Sequence, residues 1–147
     1  MSTPLSVTLG TAPFDVGAEL AALGPSGAVA SFVGHVRADD GVVELFLEHH
    51  PVMTRAALQH LADVAAARWP LDAVRLIHRV GRLVAGDPIV LVAVAARHRT
   101  AALEACAFLI DRLKTDAPLW KRETLSDGSA RWVEQRETDV DQAMRWA

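Results

Sequence analysis

The chain has 147 residues, of which 51% are hydrophobic and 22% are charged, so it is long enough to bury a core and too apolar for a disordered segment. Its net charge of −3 at pH 7 argues against a nucleic-acid-binding surface. The one cysteine, Cys106, excludes a disulfide within the chain and a zinc site built from cysteines. That cysteine usage fits a reducing compartment. The first residues lack a signal-peptide pattern and no apolar run is long enough to span a bilayer, so we expect a cytoplasmic protein that does not enter membranes.

Strand and helix patterns follow one another irregularly along the chain. The first half predicts strands at 4–9, 27–37 and 42–50, a helix at 14–24 that Asp15 can cap, and a second helix that Trp69 and Pro70 end. The second half predicts strands at 73–81, 88–98, 119–123 and 130–137, a helix between Thr100 and Pro118, and a short helix at 139–146. Because helices and strands do not alternate strictly, we predict an α+β fold with a mixed or mostly antiparallel sheet, in one domain that spans residues 1–147.

The segment from 88 to 118 carries the clearest local signals. The strand at 88–98 is apolar on both faces, which predicts a central strand covered on both sides. Thr100 is a suitable N-cap for the helix that follows, and Pro118 is a suitable end for it. The predicted buried face of this helix has four members, Leu103, Ala107, Ile110 and Leu113.

The two lysines, Lys114 and Lys121, are the only ones in the chain, against thirteen arginines. A structural interpretation makes Lys114 a cation at the negative end of a helix dipole and Lys121 an exposed strand residue. A functional interpretation uses the ability of an amine, unlike a guanidinium, to lose its proton and act as a nucleophile or base. Pro118 separates the helix that carries Lys114 from the strand that carries Lys121, so the two side chains can converge on one pocket.

A local basic cluster surrounds the lysines in this acidic chain. Six basic residues lie between positions 97 and 122: Arg97, Arg99, Arg112, Lys114, Lys121 and Arg122. Such a cluster predicts a small anionic ligand or an acidic partner. His98 and Arg99 stand where the buried strand meets a helix N-terminus, and Arg37 follows another strand, so each is either an anion ligand or an ordinary surface residue.

Other residues that could bind a metal or take part in catalysis have simpler interpretations. His49 and His50 are adjacent on a strand and point to opposite faces, so we predict no metal site there. His78 on an apolar strand face is expected to be a hydrogen-bonded core histidine, and Cys106 a buried, unreactive thiol.

Several motifs together resemble the large, catalytic subunit of molybdopterin synthase. They occur in order between positions 14 and 146: "SFVGHVR", "LEHHPVM", "ARWPL", "IHRVGRL", "ARHR", "LKTDAPLWKRE" and "RWVEQRE". The long lysine-containing motif is the most specific of these. Two departures are His50, where the resemblance leads us to expect an aromatic residue, and Asp116, which puts an acid between the lysines.

The resemblance implies an α/β-hammerhead-type fold, a homodimer, and a partner subunit. That partner is a small ubiquitin-like sulfur carrier whose C-terminal Gly-Gly tail carries a thiocarboxylate and enters a pocket of the large subunit. The reaction implied is the conversion of cyclic pyranopterin monophosphate to molybdopterin, with no cofactor and no metal in this subunit. The resemblance makes Lys114 and Lys121 the catalytic pair. It places five further residues in the substrate pocket: Arg37, His98, Arg99, Arg136 and Arg68. Of these, His98 and Arg99 are supplied by the other protomer of the dimer.

Two other functions are compatible with the sequence. One is a dimeric scaffold that binds a carrier tail without doing chemistry. The other is an independent enzyme in which a lysine forms a Schiff base with a carbonyl substrate. The scaffold, like the synthase, predicts a partner that ends in Gly-Gly, whereas the Schiff-base enzyme does not.

Overall fold

The computed structural model describes residues 3–133 and 137–146 and confirms the α+β class. The strands are β1 (Leu5–Gly10), β2 (Ala28–His35), β3 (Val42–His49), β4 (Leu71–Arg79), β5 (Gly81–Val84), β6 (Pro88–Ala96), β7 (Leu119–Leu125) and β8 (Ala130–Val133). The helices are α1 (Val16–Ala22), α2 (Pro51–Arg68), α3 (Arg99–Asp116) and α4 (Glu137–Met144), with one 3₁₀ turn at Asp39–Gly41. None of the helices in these described ranges is long and apolar enough to cross a bilayer.

The strands form two four-stranded sheets. The first sheet has the order β1-β4-β6-β2 and is mixed, because β1 runs parallel to β4 while the other pairs are antiparallel. The second sheet has the order β5-β3-β7-β8 and is antiparallel throughout. The strand predicted at 73–81 corresponds to β4, whereas β5, which follows it directly and belongs to the second sheet, is not predicted by the sequence pattern.

Helices cover both faces of the first sheet, as the double-sided apolar pattern of β6 predicts. Even-numbered residues of β4 and β6, such as Leu76 and Val92, pack against α2 and α3. Odd-numbered residues such as Ile77 and Leu91 pack against α1 on the other face. The side chain of Asp15 caps α1 by accepting a 2.9 Å hydrogen bond from the backbone N–H of Ala18, as predicted.

The second sheet packs against one end of the first through a small core of its own. The buried residues of this core come from β3, β5 and the connections at the ends of β2 and β4: Val36, Leu45, Leu47, Val80 and Leu83. Leu9 and Ile89 of the first sheet close the contact. The end of β4 and the start of β7 are thereby brought to the junction between the two sheets.

The helix α3 differs from its prediction in two ways. Its N-cap is His98, which makes no side-chain capping bond, so Thr100 lies inside the first turn and the predicted Thr100 cap is wrong. The buried face is also rotated, because Leu103 is 60% exposed. The residues turned inward are Ala102, Ala105, Cys106, Phe108, Leu109 and Leu113. In an alanine-rich helix a small residue can face either the sheet or the solvent, so the apolar period does not decide which face is buried.

Candidate active site

Lys114 and Lys121 lie on either side of the connection between α3 and β7. Lys114 is in the last turn of α3, and Ala117 caps the helix in an extended conformation before Pro118. Lys121 pairs with Leu47 of β3, and residues that are directly opposite in a sheet share a face. The Lys121 side chain therefore extends from the face that carries the small core, at the junction of the two sheets.

His78 at the end of β4 is a buried imidazole whose pKa is influenced by both lysines. Its side chain is only 6% exposed, and its Nδ1 lies 2.8 Å from the carbonyl oxygen of Arg79. The pKa of His78 is lowered from 6.5 to about 4, mainly by burial, while the hydrogen bond to Arg79 opposes this decrease. Lys121, Lys114 and His49 make smaller contributions to the same decrease. The two amines thus come from different elements to the surroundings of one buried imidazole.

The imidazole of His78 has a defined proton arrangement. A carbonyl oxygen can only accept a hydrogen bond, so the contact with Arg79 places the proton on Nδ1 and leaves a lone pair on Nε2. With a pKa of about 4, the ring is neutral at pH 7. His78 is the hydrogen-bonded core histidine that the sequence predicts. Its electrostatic link to the two lysines could not be predicted from strand periodicity.

The two departures from the family motifs have local explanations. His50 is the N-cap of α2, where its Nδ1 accepts a 3.0 Å hydrogen bond from the backbone N–H of Met53. The carboxylate of Asp116 forms an ion pair with Arg112 at 2.7 Å and accepts a 3.0 Å hydrogen bond from the hydroxyl of Thr115. The acid between the lysines is therefore engaged by neighbours on α3.

His98 and Arg99 lie at the other end of α3 from Lys114. Both are exposed, and the helix between Arg99 and Lys114 is about 22 Å long at a rise of about 1.5 Å per residue. That distance is greater than the side chains can bridge. The backbone of Gly27 passes close to Arg97 at this end, because a Cβ on Gly27 would clash with the Arg97 carbonyl oxygen. One protomer therefore does not bring His98 and Arg99 to the lysines.

Arg37 lies at the lysine end of the first sheet. It follows β2, whose last residue His35 pairs with Pro88 at the start of β6, close to where Val90 pairs with His78. The side chain of Arg37 is 69% exposed and lies 4.0 Å from Asp39, a weak pair that leaves the guanidinium accessible to a ligand.

Arg68 lies at the C-terminal end of α2 in a cluster of aromatic rings. Its guanidinium carbon is 4.9 Å from the ring centre of Trp69 and 5.5 Å from that of Trp146, and it donates a 3.2 Å hydrogen bond to the Trp146 carbonyl. Within one protomer Arg68 thus supports the packing of the C-terminal segment, away from the lysines. Arg136 lies outside the described residues.

Thr54 is a feature of the site that the sequence did not suggest. Its side chain is fully buried in the first turn of α2 and donates a 2.7 Å hydrogen bond to the carbonyl of Pro118, between the two lysines. A threonine inside an apolar helix face gives no signal of a contact to a residue 64 positions away. Cys106, by contrast, is as predicted, since burial raises the pKa of its thiol to about 11.

Comparison with known proteins identifies the family of this chain. The MoaE protein family matches residues 9–116. The molybdopterin synthase catalytic subunit of Escherichia coli K12 is 49% identical, over 95% of this chain and 97% of its own length. A molybdopterin biosynthesis MoaE protein from Burkholderia ambifaria has a solved structure with a TM-score of 0.81 and 47% identity, covering 99% of this chain and 98% of that chain.

A more distant solved structure has the same fold. It is a chain of the protein–protein complex of subunits 1 and 2 of molybdopterin-converting factor from Helicobacter pylori, with a TM-score of 0.73 and 22% identity, covering 90% of this chain and 91% of that chain. The family match spans more than half of the chain, and the E. coli relative matches almost all of it. The chain therefore belongs to the MoaE family, the catalytic subunits of molybdopterin synthase.

Proposed function

We propose that this chain transfers sulfur from a thiocarboxylated carrier protein to cyclic pyranopterin monophosphate, forming the dithiolene of molybdopterin. The observation that carries the proposal is the placement of the chain's only two lysines on either side of the short connection between α3 and β7, where the charges of both help to lower the pKa of the buried His78. Family membership supports the type of reaction, and the position of the two lysines supports where on the protein the reaction takes place.

The proposed chemistry needs a protein side chain close to the acyl carbon that can gain and lose a proton. When the carrier releases sulfur, its C–S bond breaks and the acyl carbon takes a water oxygen to become a carboxylate. On the pterin a new C–S bond replaces a C–O bond, and the displaced oxygen leaves as water or stays on the phosphate. A lysine amine can attack or polarise the acyl carbon, or move the proton that the water loses. We assign these roles to Lys114 and Lys121 as a pair, beside the neutral ring of His78.

The substrate and the carrier tail are both anions, which suits the basic residues that the sequence singles out. Arginine binds phosphate bidentately, so Arg37 and Arg99, with Arg136, are the proposed ligands of the pterin phosphate. Arg68 lies away from the lysines of its own protomer, so it would be a ligand only at the site of a second copy. Because Arg99 and His98 lie about 22 Å along α3 from Lys114, they would have to come from a second copy of the chain. We therefore propose a homodimer in which each site has the lysines of one protomer and His98 and Arg99 of the other.

The proposed partner is a small ubiquitin-like carrier whose Gly-Gly tail reaches the lysine pair. Glycine lacks a side chain, so such a tail can pass through a narrow channel and place its terminal carbon beside an amine. A partner of this kind would give a heterotetramer of two large and two small subunits.

Reconstitution with thiocarboxylated carrier and cyclic pyranopterin monophosphate tests the proposal. Lys114→Arg and Lys121→Arg retain the positive charge but remove the titratable amine, and we expect each to lower the rate of dithiolene formation by about 100-fold. Arg82→Lys, a charge-retaining exchange at an exposed position of β5, is the matched control and should retain the wild-type rate. Wild-type rates in both lysine variants would contradict the proposal.

The same experiment separates the alternatives. A wild-type protein that binds the carrier but forms no dithiolene would favour the dimeric scaffold. A borohydride-trapped adduct at either lysine with a small carbonyl compound would favour the Schiff-base enzyme.

A further inference from the structure

The hydroxyl of Thr54 joins two distant parts of the chain next to the lysine pair. It accepts a 3.0 Å hydrogen bond from the backbone N–H of His50 and donates a 2.7 Å hydrogen bond to the carbonyl of Pro118. The Thr54 side chain is fully buried, so its hydroxyl is shielded from water, whereas His50 is exposed and Pro118 half-buried. A buried polar group of this kind is costly to leave unpaired, which makes the geometry of the contact well defined.

The accepting carbonyl lies in a short segment whose conformation sets the spacing of the lysines. Asp116 ends α3 and Leu119 begins β7, so Pro118 belongs to the two-residue connection between them. Proline has no backbone N–H, which leaves its carbonyl as the polar backbone group through which this residue can be held. Lys114 precedes the connection on a helix and Lys121 follows it on a strand, so a change in the connection would move one amine relative to the other.

The other end of the contact is rigid. Thr54 lies in the first turn of α2, which His50 caps and which continues into the buried residues Leu58 and Leu61 against the first sheet. The hydroxyl thus connects a helix fixed in the main core to the connection between the lysines. An error of about 1 Å in the position of a catalytic group can lower a rate by about 100-fold, so such a contact can matter for catalysis.

We propose that Thr54 is a positioning residue that holds the Pro118 carbonyl and thereby sets the separation of the Lys114 and Lys121 amines. The inference rests on the proposed function only for its effect on rate, because the relative reactivity of the two amines, which depends on where each is held, can be measured without turnover. Thr54 itself does not contact substrate in this account.

The test uses the hydroxyl as the single variable. Thr54→Val has nearly the same shape and lacks the hydroxyl, whereas Thr54→Ser retains it. We expect Thr54→Val to lower kcat for dithiolene formation by about 10-fold or more with a KM for the carrier within about twofold of wild type, and Thr54→Ser to retain most of the rate. Leu61→Val on the same helix, also buried, is the control for lost packing and should lower Tm without lowering kcat.

A second readout does not depend on activity. The chain has two lysines, so competitive labelling with an amine reagent, followed by mass spectrometry, gives the reactivity ratio of Lys114 to Lys121 directly. We expect Thr54→Val to change this ratio and its pH dependence, and Thr54→Ser and Leu61→Val to leave both unchanged. If Thr54→Val does not fold, Thr54→Ala replaces it.

Two results would overturn the inference: a wild-type labelling ratio and kcat in folded Thr54→Val, or equal losses of kcat in Thr54→Val and Leu61→Val. If the wild type transfers no sulfur, the proposed function fails, and the labelling ratio alone decides the role of Thr54.

Discussion

The buried imidazole of His78 predicts a specific loss of stability in mild acid. Its pKa is lowered from 6.5 to about 4 because the ring is buried and because Lys121, Lys114 and His49 lie nearby. Between these two pH values the unfolded chain binds a proton at this position and the folded protein does not. The unfolded state therefore gains stability from each decrease in pH, and the free energy of unfolding falls as pH decreases from about 6.5 to about 4.

The size of this effect follows from the pKa difference. A difference between 6.5 and about 4 corresponds to about 3 kcal/mol. Below about pH 4 the folded protein is also protonated at His78, and this contribution to the loss stops growing. Above pH 6.5 the ring is neutral in both states and contributes no pH dependence.

His78→Asn isolates this contribution. The asparagine amide can still donate a hydrogen bond to the Arg79 carbonyl, but it does not titrate. Urea unfolding followed by tryptophan fluorescence at pH 7 and near pH 4 gives the free energy of unfolding for both proteins. We expect the wild type to lose about 3 kcal/mol more than the variant over this range. Equal losses would refute the argument, because every other titrating group is common to the two proteins.

Two substitutions test other parts of the fold. Gly27→Ala places a Cβ against the Arg97 carbonyl and should lower the free energy of unfolding by about 1–3 kcal/mol, whereas Gly10→Ala, with no atom within 4 Å of its Cβ, should have a much smaller effect in the same urea titration. Trp146→Phe removes the 2.7 Å hydrogen bond from the indole N–H to Asp111 while keeping a ring in the cluster, and should lower Tm with a loss of about 1–2 kcal/mol. An unchanged Tm would show that the indole donor does not help to hold the C-terminal segment.

Local features of the fold can be predicted from the sequence. The double-sided apolar strand β6 and the cap at Asp15 depend on residues close together in the chain, and the structure confirms both. Pro118 ends α3 as expected, because the residue before a proline avoids the helical conformation. The wrong cap at Thr100 and the exposed Leu103 show the limit of this approach, since several start positions and faces of an alanine-rich helix are locally equivalent.

The geometry of the site cannot be predicted from local sequence patterns, because it depends on contacts between distant parts of the chain. The lysines were recognised from their rarity and their motif, but their relation to His78 exists only because the end of β4 and the start of β7 meet at the junction of the sheets. The Thr54 contact with Pro118 likewise joins residues 64 positions apart. Periodicity describes which face of an element is buried, and it contains no information on which other element covers that face.

We propose a functional site that combines the lysines of one protomer with His98 and Arg99 of another. Co-expression of a Lys114→Arg chain and a His98→Ala chain under different tags, followed by purification of the mixed dimer, tests it directly. Each single-variant dimer should form little dithiolene, whereas the mixed dimer has one intact site of two and should recover about half of the wild-type rate. A mixed dimer as inactive as the single-variant dimers would contradict the claim, because it would show that Lys114 and His98 must lie on the same chain.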